Sequence, residues 1–252
     1  MYDISCIMKT SFSTPVQVFG MQKCGSGMVS SFCKDSDNII WNEHSVFIKN
    51  KSIISKFSKG KNDTFLNDVE TKPYQYRGGF INIALVRNPF DLLLSFYFHG
   101  SHGANSISEL YYEPNGSTFA GFKQFIRSIG RGASRFKAFN FSCFYPYFDE
   151  KGNFIPDFAF KLEHLQNFFN IREWSWKGSS DVRHRSNRPK GNNVELYDNE
   201  MRGIVEDYFR YEIKTFGYSI HGTDDRIIVP KESISRIPKD RLEKFYIDLP
   251  PI

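Results

Sequence analysis

The chain has 252 residues, 40% of them hydrophobic and 24% charged, a composition that is globular rather than disordered and fits one large α/β domain or two small ones. The net charge of +5 fits either a mildly basic surface or a cleft that collects anions, and the spread of Lys and Arg along the chain argues against a nucleic-acid footprint. The four cysteines, Cys6, Cys24, Cys33 and Cys143, form no C-x-x-C pair, so neither a disulfide framework nor a zinc site is expected.

Residues 16–19 are short, apolar and β-branched and run into a Gly-containing loop, which predicts a buried strand and a turn. A helix is expected to open over 28–33. Residues 38–41 predict a second strand, with Asn42, Glu43 and His44 at its end. Residues 49–79 are polar and rich in Lys, Ser and Asn, and read as loops with one short helix. The strongest strand signal is 80–86, a near-continuous apolar run of the kind that suits a parallel strand covered on both faces. Arg87-Asn88-Pro89 ends it, and a helix follows over 90–99 with Pro89 suited to its first turn.

Residues 100–118, rich in Gly, Ser and Asn, predict a loop near the ligand, and 119–129 a helix. A further strand is expected over 158–162, with a helix from Glu163. The clearest helix is 199–216, where Met201, Ile204, Val205, Tyr208, Phe209, Ile213 and Phe216 recur at helical spacing. Asp198 is placed to cap it and Gly217 to stop it. Residues 221–252 are polar and contain several prolines. No apolar run approaches the ~18 residues of a membrane span, and the N-terminus lacks the apolar core of a signal peptide. A cytoplasmic location is therefore expected.

Strand–loop–helix units recur at 16–33, 80–99 and 158–170. That alternation predicts a single α/β domain over 1–220, with a central parallel sheet flanked by helices. The segment 221–252 is expected to be a tail or lid packed on it. Ligands of such sheets bind beyond the carboxyl ends of the strands. Two loops lie there, 20–27 and 87–89.

The first loop reads Gly20-Met21-Gln22-Lys23-Cys24-Gly25-Ser26-Gly27. Glycines let the backbone curl around a phosphate, and the N-terminus of the following helix points free N–H groups at the anion. The loop differs from a Walker A sequence, because Ser26 rather than Lys follows Gly25 and the lysine sits inside the loop. The second element is Arg87-Asn88-Pro89-Phe90-Asp91, with Ser95 eight residues after the arginine. A guanidinium at a strand end can fork onto a phosphate, and a serine on the next helix can add a hydroxyl.

Together these elements resemble the sulfotransferases that use PAPS (3'-phosphoadenosine-5'-phosphosulfate), with a lean toward the carbohydrate-modifying branch. Lys23, Gly25 and Ser26 match that family's 5'-phosphosulfate loop. Val86-Arg87-Asn88-Pro89-Phe90-Asp91 through Ser95-Phe96-Tyr97 matches its 3'-phosphate element. Phe160-Lys161-Leu162-Glu163-His164-Leu165 resembles its strand–Glu–helix segment, and the run from Tyr197-Asp198 to Phe216-Gly217-Tyr218 resembles its closing helix.

The resemblance implies a P-loop-like fold, PAPS as donor, PAP as product and no required metal. It implies that Lys23, Cys24, Gly25, Ser26, Gly27 and Met28 hold the 5' end of the donor, and that Arg87 and Ser95 hold its 3'-phosphate. Arg185, in the basic run 183–188, would close over the nucleotide. Lys23 would stabilise the leaving group. Glu43 or His44, which follow the second strand, would take the proton of the acceptor hydroxyl. A glycan is the expected acceptor. Gly27 departs from the family, which has a second hydroxyl residue there. Two alternatives remain open: a P-loop kinase or NTPase, and a PAP-binding protein that has lost catalysis on the same scaffold. His99 and His102 have no third ligand nearby in sequence and predict no metal site.

Overall fold

The computed structural model describes residues 15–20, 24, 39–43, 79–99, 119–130, 147–149, 151–164 and 193–238. Its strands are β1 (Val16–Gly20), β2 (Ile39–Glu43), β3 (Ile81–Val86), β4 (Phe158–Lys161), β5 (Tyr218–Ser219), β6 (Gly222–Thr223) and β7 (Ile228–Pro230). Five of them form one sheet in the order β2-β1-β3-β4-β7. The first four are parallel, and β7 pairs antiparallel with β4. The architecture is therefore mixed α/β with a mostly parallel sheet.

Every residue of β1 is buried, as are all but the first of β3. Burial of both alternating side-chain sets requires cover on both faces of the sheet, which is why these strands are apolar without alternation. Helix α1 (Pro89–His99) follows β3 directly. Phe90, Leu92, Leu93, Leu94, Phe96 and Tyr97 are all buried, as befits a helix that is apolar nearly all round. Helix α2 (Phe119–Gly130) adds Phe122, Phe125, Ile126 and Ile129 to the core. Ring contacts join these layers: Tyr97 to Phe122 at 5.2 Å, Phe122 to Tyr197 at 5.1 Å and Phe90 to Tyr197 at 5.2 Å.

After a short α3 (Asn193–Leu196), the helix expected over 199–216 is two segments, α4 (Asn199–Tyr208) and α5 (Arg210–Phe216). Arg210 Nε donates to the Asp207 carbonyl at 3.1 Å, the acceptor that the Tyr211 N–H would use in an unbroken helix. The fully buried Phe209 sits at the break. The Asp198 side chain accepts from the Met201 N–H at 2.9 Å, and Gly217 ends α5 with φ at 64°, so both expected boundaries are present.

The expected strand over 158–162 ends at Lys161. A 3-10 turn, Leu162–His164, follows it, and the rest of the helix expected from Glu163 lies outside the described residues. The boundary drawn at 220 falls between β5 and β6, which pair as a hairpin. Residues 228–230 then complete the sheet, and Val229, Ile234 and Ile237 are buried. Among the described residues, no helix is long and apolar enough to cross a membrane.

Candidate functional site

Strand order places the site. The chain leaves β1 for β2 on one side and reaches β3 on the other. The carboxyl ends of β1 and β3 therefore flank the topological switch point, where a parallel sheet leaves a crevice for a ligand. The loop after Gly20 and the turn at Arg87 both begin there. The β1–β3 ladder runs from Val16 opposite Ile81 to Phe19 opposite Ala84. At its end the hydroxyl of the buried Tyr147 lies between two backbone acceptors, Phe19 O at 3.2 Å and Leu85 O at 3.3 Å. Sequence patterning gave no sign of this tyrosine, because its partners are 128 and 62 residues away.

Cys24 is fully buried in the core. Glu43 is the last residue of β2 and lies level with Gly20. Glu43 and Arg87 consequently stand on opposite sides of β1, with backbones about two strand spacings, roughly 10 Å, apart. Lys23, Gly25, Ser26, Gly27, Met28, His44 and Arg185 lie outside the described residues.

Arg87 and Ser95 are both described. Between residues 87 and 97, only Arg87, Asp91 and Ser95 are partly exposed, and every other residue is buried. Spaced four apart, they form one line along α1 that starts at the strand end. Asp91 lies in the first turn of the helix, where the positive end of the helix dipole favours a carboxylate.

Asn88 makes the turn rigid. It is fully buried, and its Oδ1 accepts from the Phe90 N–H at 3.1 Å while its carbonyl accepts from the Leu92 N–H at 2.9 Å. It thus caps α1. Its Nδ2 donates to Ser219 O at 2.8 Å and Gly222 O at 2.9 Å, tying the β5–β6 hairpin to the turn. Its N–H donates to Glu163 Oε1 at 2.7 Å. Much of the Glu163 residue is open to solvent, yet its carboxyl is tucked against this turn. Burial pushes that carboxyl above its ordinary range, against the Asn88 N–H and the Arg87 charge, which favour the ionised form.

The neighbouring end of β4 holds a second polar cluster. Lys161 is fully buried. Its ammonium pairs with the Asp224 carboxylate, donates to Thr223 Oγ1 at 2.8 Å and lies 5.5 Å from the centre of the Tyr218 ring. Burial holds Lys161 below its ordinary range even with Asp224 beside it. His164 Nε2 lies 3.3 Å from the Asp224 carbonyl. Sequence reading singled out the segment holding Lys161, Glu163 and His164 but not their partners, which lie 60 to 75 residues away.

No family model, curated protein or solved structure matches the chain.

Proposed function

We propose that the chain is a sulfotransferase with a P-loop-like fold, moving a sulfuryl group from PAPS to an acceptor hydroxyl, with a glycan as the preferred acceptor class. The observation that carries this reading is the half-exposed line of Arg87, Asp91 and Ser95 running from the β1/β3 switch point. It offers a guanidinium and a hydroxyl on one partly exposed face that starts at the end of β3, next to β1. A dianionic phosphate suits those two donors.

On this reading the 5' end of the donor lies against the loop containing Lys23, and Arg87 and Ser95 receive the 3'-phosphate. The base, Glu43 or His44, takes the acceptor proton. The acceptor oxygen forms its bond to sulfur as the bond from sulfur to the bridging oxygen breaks, and PAP leaves. Lys23 stabilises the charge that gathers on that bridging oxygen. The sulfuryl group in transit carries less charge than a phosphoryl group, so positioned cationic donors suffice. The position of Glu43 beside Gly20, across β1 from Arg87, supports placing the acceptor on the β2 side.

Calorimetric titration with PAP in the presence of EDTA tests the reading, with ATP–Mg²⁺ as the comparison. Saturable PAP binding is expected. Binding of ATP–Mg²⁺ without PAP would overturn the proposal and favour a kinase. PAP binding without transfer of labelled sulfate to any of a panel of glycan and small hydroxyl acceptors would favour the non-catalytic scaffold.

A further inference from the structure

We propose that Glu163 is a positioning residue for the anion site, holding the β3–α1 turn so that Arg87 faces the ligand. The inference rests on the sulfotransferase reading for the identity of the ligand, though not for the presence of an anion site. Glu163 lies just past β4, and its Oε1 accepts the Asn88 N–H at 2.7 Å. Asn88 is the residue next to Arg87, and that N–H belongs to the peptide joining the two. A bond to this peptide restricts the backbone rotation that aims the Arg87 side chain.

The other carboxyl oxygen, Oε2, lies 3.4 Å from the Tyr218 hydroxyl on the β5–β6 hairpin. Glu163 therefore reaches three elements at once: the end of β4, the β3–α1 turn and the hairpin. The hairpin is itself bound to the same turn through both donors of the Asn88 amide. The charges acting on the carboxyl include Arg87, which favours its ionised form, and Asp91, which opposes it.

Charge and geometry make opposite predictions here. As a nearby negative charge, Glu163 would weaken phosphate binding at Arg87, and its removal would tighten it. As a geometric restraint, it strengthens binding, and its removal weakens it. A hydrogen bond of 2.7 Å to a peptide N–H, made by a charged acceptor, is strong enough for the geometric effect to prevail.

The test is calorimetry with PAP, with adenosine 5'-phosphosulfate (which lacks the 3'-phosphate) and with pyrophosphate. It compares wild type, Glu163→Ala, Glu163→Gln, Arg87→Ala and the double Glu163→Ala/Arg87→Ala variant. Glu163→Ala is expected to weaken PAP binding by about ten-fold, the order of one charge-assisted hydrogen bond. It should leave adenosine 5'-phosphosulfate unchanged. Glu163→Gln keeps an oxygen for the Asn88 N–H and should restore affinity to near wild type. In the Arg87→Ala background, Glu163→Ala should add no further loss, because the two act as a unit. Glu163→Asp, too short to reach the N–H, replaces the alanine variant if that fails to fold.

Unchanged or tighter PAP binding by Glu163→Ala would overturn the proposal. So would a full additional loss in the Arg87→Ala background. If wild type binds pyrophosphate but not PAP, the donor reading fails, and the same comparison on pyrophosphate decides the role of Glu163. Binding of neither anion overturns both.

Discussion

At the scale of single residues, the least expected feature is a fully buried lysine at the end of a strand. Lys161 has no exposed side-chain surface, while its partner Asp224 keeps 37%. Burial alone would push the Asp224 carboxyl up, but hydrogen bonds from Arg226 and Lys161 outweigh it and hold the group at about 2. Its folded value lies below the ordinary 3.8, so the pair stabilises the fold above that pH. The stabilisation is lost as pH falls from there toward 2. Asp224→Ala leaves the ammonium buried without its counter-charge and should cost about 1–3 kcal/mol at pH 7. Lys161→Met removes the buried charge altogether and should cost less. Urea unfolding of the three proteins at pH 7 checks the order. The gap between wild type and Asp224→Ala should narrow in acid, and a gap that stays constant down to pH 2 would show that the ion pair is not its source.

At the scale of elements, the helix boundaries were legible because their signals are local. Asp198 lies three residues before the N–H that it caps, and the left-handed stop after Phe216 needs a glycine at that one position. The break at Phe209 was not legible, since the apolar spacing of 199–216 continues through it. It lies at Phe209, whose backbone leaves the helical region with φ at −101° and ψ at 25°. Gly217 has a tertiary role as well. A Cβ there would overlap the Asp224 carboxylate, in addition to opposing a φ of 64°. Gly217→Ala should therefore exceed the ~1–2 kcal/mol that the left-handed conformation alone costs. Thermal or urea unfolding measures it, and a loss below that range would mean that the carboxylate moves aside freely.

At the scale of the whole molecule, residues 228–230, beyond the boundary expected at 220, are part of the sheet. β7 pairs with β4, and the Ile237 N–H donates to the Gly152 carbonyl at 2.9 Å. A chain ending at Ile220 would bare the edge of β4, lose the buried Val229, Ile234 and Ile237, and leave Lys161 without Asp224. It should lose cooperative urea unfolding and its near-ultraviolet circular dichroism relative to the full chain. Retention of both would show that the segment is a dispensable cover.

The sequence by itself determined β1 to β4, the helices α1 and α2 and the mostly parallel sheet, because apolar runs, a proline at a first helical turn and single capping residues act within a few positions of one another. It also marked Arg87 at the strand end and Ser95 on the helix that follows. Only the tertiary structure decided that β1 and β3 are neighbours across a switch point, that Tyr147 lies between their ends, that β7 closes the sheet in reverse, and that Glu163 reaches the Asn88 N–H. These contacts join residues 62 to 128 positions apart. A hydrogen bond across such a span depends on where packing sets the elements, and neither residue carries a local pattern that announces its partner.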